Sequence, residues 1–209
     1  MYSLPHFKEN DLDVVKQFMH QHPFIMLCGC DADHRPVVTH VPVLIKENDH
    51  QLFLRGHIMK NTDHYKAYIQ NPLVLAVFTG PHAYISASWY GNPQQASTWN
   101  YMTVHAKGRI EFLDDAALLD TLKETTARFE NDMHSPSLFE KLPAEYVQRM
   151  KNAIIAFNLE VLELENVFKL SQNRDEKSYQ NIISKLLQGS PEEKQVALEM
   201  QQRISQLFH

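Results

Sequence analysis

The chain has 209 residues, of which 44% are hydrophobic and 22% are charged, so it has the composition of a globular protein and enough residues to bury a core. Its formal net charge of −5 excludes binding to nucleic acid or acidic membranes through overall positive charge. No apolar run approaches the roughly 20 residues of a membrane span, and the N-terminal sequence lacks a signal-peptide profile, so we expect a cytoplasmic protein without membrane association.

The N-terminal part predicts one helix followed by short strands. Residues 10–22 carry an apolar stripe of helical period, and Pro23 ends that helix. Residues 24–30 are a continuous apolar run of strand length, which we expect to be buried on both faces. Residues 36–46 and 51–55 are rich in strand-forming side chains around a polar turn, which favours a meander.

The middle of the chain mixes helical and strand patterns. Helices are predicted over residues 60–70, from Asp114 to Phe129, and over 143–154, and strands over 73–79, 106–113 and 155–170. Six or seven short strands with intervening helices indicate a mainly β fold of the α+β class, either a barrel or a sandwich.

Residues 80–105 contain both tryptophans of the chain and three tyrosines. Gly80-Pro81 and Gly91-Asn92-Pro93 are turn signals, so we expect short strands separated by a loop. Strand alternation from Trp99 puts Trp99, Tyr101, Thr103 and His105 on one face and Asn100, Met102 and Val104 on the other. Rings beside polar side chains suit a flat, partly polar ligand, although a strand pair that only fills a core has the same residue types.

The C-terminal residues predict two amphipathic helices joined by a tight turn. Residues 179–187 follow the helical period, and Gly189 ends the first helix. Ser190-Pro191-Glu192-Glu193 combines a capping box with proline at the first helical position, and the second helix is expected to reach about Leu207. This pair is either a helix-turn-helix or a hairpin packed on a partner surface.

Cysteine and histidine patterns do not indicate a metal site. Cys28 and Cys30 are two residues apart on a predicted strand, fit neither a disulfide nor a zinc pattern, and suit core packing. The twelve histidines show neither H-E-x-x-H nor a Cys/His ligand spacing. We therefore expect no metal, and no residue stands out as catalytic.

Several sequence blocks occur in a fixed order over residues 1 to about 190. They are Arg35-Pro36 with Thr39-His40 and Pro42, Gly56-His57 with Lys60-Asn61, Gly80-Pro81-His82-Ala83-Tyr84-Ile85-Ser86 with Ser88-Trp89-Tyr90, Thr98-Trp99-Asn100-Tyr101 with Val104-His105, and Lys169-Leu170-Ser171-Gln172-Asn173-Arg174. Through these blocks the chain resembles the PaiB-type FMN-binding negative transcriptional regulators of the FMN-binding split-barrel group.

The resemblance implies an antiparallel split barrel of six or seven strands with flanking helices, which binds FMN at a homodimer interface. Residues 1–175 would form the FMN-binding domain. Residues 176–209 would form a helical hairpin packed on the barrel or on the dimer partner.

The resemblance also implies where the phosphate of FMN binds. Lys60 and Asn61, with His57 beside them, stand where a strand meets a helix, and a helix start supplies free N–H groups. Gln172 and Arg174 follow the last strand, where a guanidinium suits phosphate or ring oxygens.

Further residues are implied at the flavin ring. They are Thr39, His40, Ser86 and Trp89 as ring-edge contacts, and Trp99 and Asn100 closing the site from the other subunit.

The same pocket would also suit a flavin-dependent oxidoreductase, and a related branch of split-barrel proteins binds haem. Direct DNA binding is weakly supported, because residues 169–209 hold six Lys or Arg against five Asp or Glu. The tail is therefore nearly neutral, whereas contact with a phosphate backbone usually requires positive charge.

Overall fold

The computed structural model describes residue 1, residues 4–92 and residues 94–208; Pro93, part of the predicted loop signal, lies outside these residues. The strands are β1 Phe24–Cys30, β2 Pro36–Pro42, β3 Leu44–Asn48, β4 Gln51–Met59, β5 Leu73–Ile85, β6 Thr98–Phe112 and β7 Ile154–Lys169. The α-helices are α1 Leu12–Gln21, α2 Asp63–Gln70, α3 Asp115–Glu130, α4 Ala144–Ala153, α5 Glu176–Leu186, α6 Pro191–Gln201 and α7 Ile204–Leu207. Within the part of the chain described, no helix is long and apolar enough to cross a membrane.

The seven strands form one sheet in the order β2-β1-β5-β6-β7-β4-β3. Antiparallel pairing joins β1 to β2 and to β5, and joins β4 to β3 and to β7. The predicted meander is wrong at one point, because β2 and β3 lie at opposite ends of this order. The chain turns at Val43, whose N–H donates to Pro23 O at 2.9 Å, so that β2 and β3 form separate hairpins.

The chain divides into two compact units. The terminal unit consists of Met1–Phe18, Thr79–Val104 and Glu165–His209, and the central unit consists of Met19–Phe78 and His105–Leu164. The proposed division at residue 175 stays a prediction.

The core of the central unit is built from alternating strand residues and one face of α3. Leu118 and Leu122 of α3 pack on Ala156 of β7, and all three are buried. Asp114 caps α3 by accepting a hydrogen bond from Ala117 N at 2.9 Å, as its position before the helical pattern predicts. Strand β1 is buried on one face only, because Phe24 is 64% exposed while its neighbour Ile25 is buried.

In the terminal unit, β5 continues through Gly80-Pro81 to Ile85, which corrects the predicted turn at this dipeptide. A Cβ built at Gly80 would lie 2.4 Å from the ring of Phe18, so this glycine gives room for a close contact inside a strand. The predicted alternation of β6 is confirmed, since Asn100, Met102 and Val104 are buried and their neighbours are not.

Helices α5 and α6 pack against each other within the terminal unit. Ile182, Leu186, Val196 and Met200 are buried, as the apolar stripes predict, and the capping box at Ser190 is present. The prediction of one helix to Leu207 is wrong, because α6 ends at Gln201 and α7 is a separate short turn.

Candidate functional site

The predicted cofactor residues fall in both units. Thr39, His40, His57, Lys60 and Asn61 belong to the central unit, and Ser86, Trp89, Trp99, Asn100, Gln172 and Arg174 belong to the terminal unit.

The connection between β4 and α2 carries the predicted phosphate residues. The helix begins at Asp63 with Thr62 as its cap, and not at Lys60 as expected. Asn61 has a φ of 63°, a left-handed conformation that asparagine tolerates and that separates the strand from the helix. Side chains already occupy two N–H groups at the helix start, since Tyr65 N donates to Thr62 Oγ1 and His64 N donates to Asp63 Oδ1.

Lys60, in the β4–α2 connection, contacts the C-terminal end of α4. Its backbone N–H donates to Ala153 O at 2.9 Å, and its Nζ donates to Lys151 O at 3.0 Å. Carbonyls in the last turn of a helix lack intrahelical donors, and the partial negative charge there favours an ammonium group. Lys60 is therefore held at a helix terminus by one backbone bond and one ammonium bond, and its side chain is half-buried beside the turn at Asn61.

Polar atoms without a partner lie on the strand that leads to Lys60. Arg55 Nε and His57 Nδ1 of β4 and Asn158 Oδ1 of β7 are buried and make no hydrogen bond within the described part of the chain. Arg55 pairs with Asn158 in the strand register, so their side chains share one face of the sheet. Burial lowers the pKa of His57 and favours its neutral ring. The Arg55 Nε donor and the His57 ring nitrogen, on the strand that leads to Lys60, fit a cofactor that carries phosphate oxygens.

Thr39 and His40 are consecutive on β2 and point to opposite faces of the sheet. Thr39 is half-buried, whereas His40 is exposed and its ring stacks at 6.0 Å on the ring of Phe24. A ligand on one face of this strand can therefore meet only one of the two side chains.

Ser86 and Trp89 belong to a short 3-10 turn, Ala87–Trp89, and not to a strand as expected. The Ser86 hydroxyl caps this turn by accepting a hydrogen bond from Ser88 N. Trp89 is half-buried, and the neighbouring Tyr90 is buried with its hydroxyl unpartnered among the described residues.

Trp99 and Asn100 occupy opposite faces of β6. Trp99 is 52% exposed, and its ring lies 5.9 Å from that of Tyr84 and 6.0 Å from that of His82. Asn100 is fully buried, accepts a hydrogen bond from Ser171 Oγ at 3.0 Å, and approaches the sulfur of Met200. Trp99 is available to a ligand, whereas Asn100 is buried and its side-chain polar atoms are engaged within the terminal unit.

The turn after β7 holds Gln172 and Arg174 differently. The Gln172 amide is used locally, since its Oε1 accepts from Leu170 N at 2.7 Å and its Nε2 donates to Phe168 O. The Arg174 guanidinium lies 4.2 Å above the ring of Tyr90 and donates to Gln95 Oε1. Gln172 shapes the turn, and Arg174 remains a candidate for binding an anion.

An apolar cleft with a volume of about 570 Å³ lies in the central unit. Its lining includes Cys28, Cys30, Leu73 and Leu75, with Lys107 and Glu163 as an ion pair of 3.1 Å beside them. None of the predicted cofactor residues lines it. Both cysteines are free, as expected, but they face this cleft and are only half-buried.

The antiparallel seven-stranded sheet is that of a split-barrel protein, as predicted. Residues 1–163 match the family model described as "Putative FMN-binding domain", and the chain belongs to this family. The predicted cofactor, FMN, is thereby confirmed.

Among curated proteins, the chain is similar to "Protease synthase and sporulation protein PAI 2" of Bacillus subtilis (strain 168). The two are 29% identical over 205 residues, which cover 98% of each chain. The predicted resemblance to PaiB-type proteins is confirmed.

Two solved structures share the fold. The FAD and haem binding protein from Mycobacterium smegmatis has a TM-score of 0.57 at 15% identity, over 78% of this chain and 73% of that one. The flavocytochrome Anf3 from Azotobacter vinelandii has a TM-score of 0.56 at 19% identity, over 86% of this chain and 78% of that one. At these identities the likeness shows the fold alone.

The sequence alone did not point to Arg55 or Asn158, whereas Lys169 and Tyr90 lie within the family blocks but were given no role in the site. Arg55 directly precedes the Gly56-His57 block, and this position was the signal in the sequence by which Arg55 could have been assigned to the site. The importance of Asn158 depends on its pairing with β4, which a single sequence does not reveal.

Proposed function

We propose that this protein is a cytoplasmic, homodimeric regulator that binds FMN. The observation that carries the proposal is membership of an FMN-binding family over residues 1–163. This range includes β4, on which buried nitrogens of Arg55 and His57 lack a partner among the described residues. FMN bound there would supply its redox-active ring, and the residues of this chain would hold and orient it.

Within this proposal the phosphate lies near Lys60 and Asn61, with Arg55 and His57 as additional donors. A phosphate oxygen would give Arg55 Nε and His57 Nδ1 the partners that they lack in the described part of the chain. Asp63 sits in the first turn of α2 and disfavours an anion directly on the helix axis, so the side chains of β4 would carry most of the binding.

The proposed ring contacts are exposed side chains, since these can reach a ligand without rearrangement. His40 stands on the outer strand β2, and Trp99 presents more than half of its surface. We propose that Ser86 and Trp89 contribute secondary contacts. Thr39 lies on the opposite face of β2 from His40, so we propose that it supports the strand and does not contact the ring. The burial of Asn100 and the local bonds of Gln172 support structural roles for these two residues rather than direct contact.

The exposed aromatic group of Tyr84 and Trp99 supports a homodimer. These side chains are 48% and 52% exposed on neighbouring strands, and clustered exposed rings are typical of an interface. We expect light scattering at micromolar concentration to give the mass of two chains. A stable monomer that still binds FMN would overturn the dimer and leave the cofactor proposal standing.

A regulatory role is supported by the similarity to a protein named for protease synthesis and sporulation. We propose that regulation does not require direct contact with DNA, because the apolar faces of α5 and α6 are buried and the net charge is negative. Fluorescence anisotropy with duplex DNA should show no salt-sensitive binding. Steady turnover of reduced nicotinamide by the FMN-loaded protein would favour an oxidoreductase instead.

A further inference from the structure

The side chain of Asn158 on β7 carries a buried polar atom that has no partner among the described residues. Its Oδ1 is shielded from solvent and accepts no hydrogen bond there. The residue as a whole is only half-buried, so part of the side chain can still be reached from outside. A buried acceptor without a donor is costly, and this cost would be removed by a ligand that brings a donor.

The strand register places a complementary group directly opposite Asn158. Arg55 of β4 pairs with Asn158, and His57 lies two residues further along β4 on the same face. Arg55 Nε is a donor and Asn158 Oδ1 is an acceptor, yet neither atom bonds to the other or to any further described residue. Two matching groups that face each other and stay unpaired are arranged to hold a third group between them.

Water is a poor substitute for that third group. Ala156 lies on the same face of β7 as Asn158 and is buried with Leu118 and Leu122 of α3. This apolar cover limits the water that could reach Oδ1. A ligand that enters from the half-exposed side of Asn158 would supply the missing donor without that limit.

A phosphate group cannot complete this arrangement by itself. Ionised phosphate oxygens accept hydrogen bonds, so they suit Arg55 Nε and an N–H of His57 but not Asn158 Oδ1. The Oδ1 atom requires a donor, which on FMN is either a hydroxyl of the ribityl chain or the N–H of the ring. The ribityl hydroxyls are next to the phosphate, whereas the ring N–H is at the far end of the molecule. With the phosphate at Arg55, the donor nearest to the opposite residue is therefore a ribityl hydroxyl.

We propose that Asn158 accepts a hydrogen bond from a hydroxyl of the ribityl chain of FMN. This inference rests on the proposed phosphate position beside Arg55, His57 and Lys60. It divides the binding between two paired strands, since β4 holds the phosphate and β7 holds the chain that joins the phosphate to the ring. Asn158 thereby favours flavins that carry a hydroxylated chain over the bare ring.

The test compares FMN with riboflavin, which lacks the phosphate, and with lumiflavin, which lacks the ribityl chain. Each flavin is titrated with the full chain, and binding is followed by quenching of flavin fluorescence. The variants are Asn158→Ala, Asn158→Leu and the control Asn181→Ala, which changes an exposed asparagine of α5. We expect Asn158→Ala to weaken binding of FMN and of riboflavin by the same factor of about three to ten, as for loss of one hydrogen bond between neutral groups. Lumiflavin affinity, and all three affinities of the control, should stay unchanged.

Thermal melts of the flavin-free protein give a second readout. Replacing an unpartnered acceptor by an apolar side chain of similar size removes the cost of burying it, so Asn158→Leu should melt at or above the wild-type temperature. A lower melting temperature of this variant together with unchanged flavin affinity would assign Asn158 to the fold alone and overturn the proposal. Asn158→Leu also keeps the test valid if Asn158→Ala fails to fold.

The binding data separate this proposal from that of the FMN site itself. If wild type binds FMN and riboflavin and both Asn158 variants bind them equally well, the role of Asn158 is overturned and the FMN proposal stands. An equal loss for lumiflavin overturns the ribityl contact, because binding of the ring alone then depends on Asn158. Absence of flavin binding to wild type overturns both proposals.

Discussion

Replacing Lys60 by alanine should separate the phosphate of FMN from its ring. Lys60 is half-buried, and its ammonium group donates a hydrogen bond to Lys151 O at 3.0 Å. This bond fixes the position of the ammonium group. A hydrogen bond from a charged donor is worth about 1.5–3 kcal/mol, which corresponds to roughly a 10- to 150-fold change in Kd. We therefore expect FMN affinity to fall by this factor and riboflavin affinity to stay nearly constant.

The same substitution removes a bond at the end of α4. Because the Lys60 side chain is only half-buried, loss of that bond should lower the free energy of unfolding by about 0.5–1.5 kcal/mol, less than for a fully buried charged donor and independently of flavin. Lys66→Ala is the matched control, because Lys66 is an exposed lysine of α2 with the same charge. It should change neither the melting temperature nor the FMN to riboflavin ratio.

The assay is quenching of flavin fluorescence on titration with each protein variant, beside a thermal melt. An equal loss of FMN and riboflavin affinity in Lys60→Ala would remove Lys60 from the phosphate site. An unchanged affinity for both ligands would do the same and would leave Lys60 as a helix cap only.

Two further changes test the buried side chain of Asn100 and the C-terminal helices. Asn100→Ala should lower the free energy of unfolding by about 1–3 kcal/mol with flavin affinity unchanged, because it leaves the buried Ser171 hydroxyl without its acceptor; a normal urea midpoint would contradict this. Deleting residues 177–209 should lower the melting temperature more than it lowers flavin affinity, whereas an unchanged melt with lost, salt-sensitive DNA binding would indicate a DNA-reading tail.

Local signals in the sequence predicted the elements whose ends depend on short-range chemistry. The apolar run before the polar turn at Asp31 is β1, Asp114 caps α3, and Ser190 begins α6 with a capping box. The alternation that starts at Trp99 correctly separated exposed from buried residues of β6. In each case the pattern and the structure depend on neighbours within a few residues.

Long-range contacts explain what the sequence did not predict. Gly80 resembles a turn glycine, but it lies inside β5 because Phe18 packs closely against it. The separation of β2 from β3 depends on strand pairing with distant segments. Asn100 and Gln172 resemble ligand-binding residues by type, and only their tertiary partners show that their polar atoms are already engaged. A match to the family blocks therefore indicates that a residue is important. It does not distinguish a residue that contacts the ligand from one that supports the surrounding structure.

The most direct measurement is the visible absorption spectrum of the purified full-length protein during titration with FMN, with haemin as the competing ligand. We expect a saturable shift of the flavin bands that ends at equimolar FMN and chain, and we expect that haemin does not displace the bound FMN. A flavin spectrum that remains that of free FMN at every protein concentration, or displacement of FMN by haemin, would contradict it.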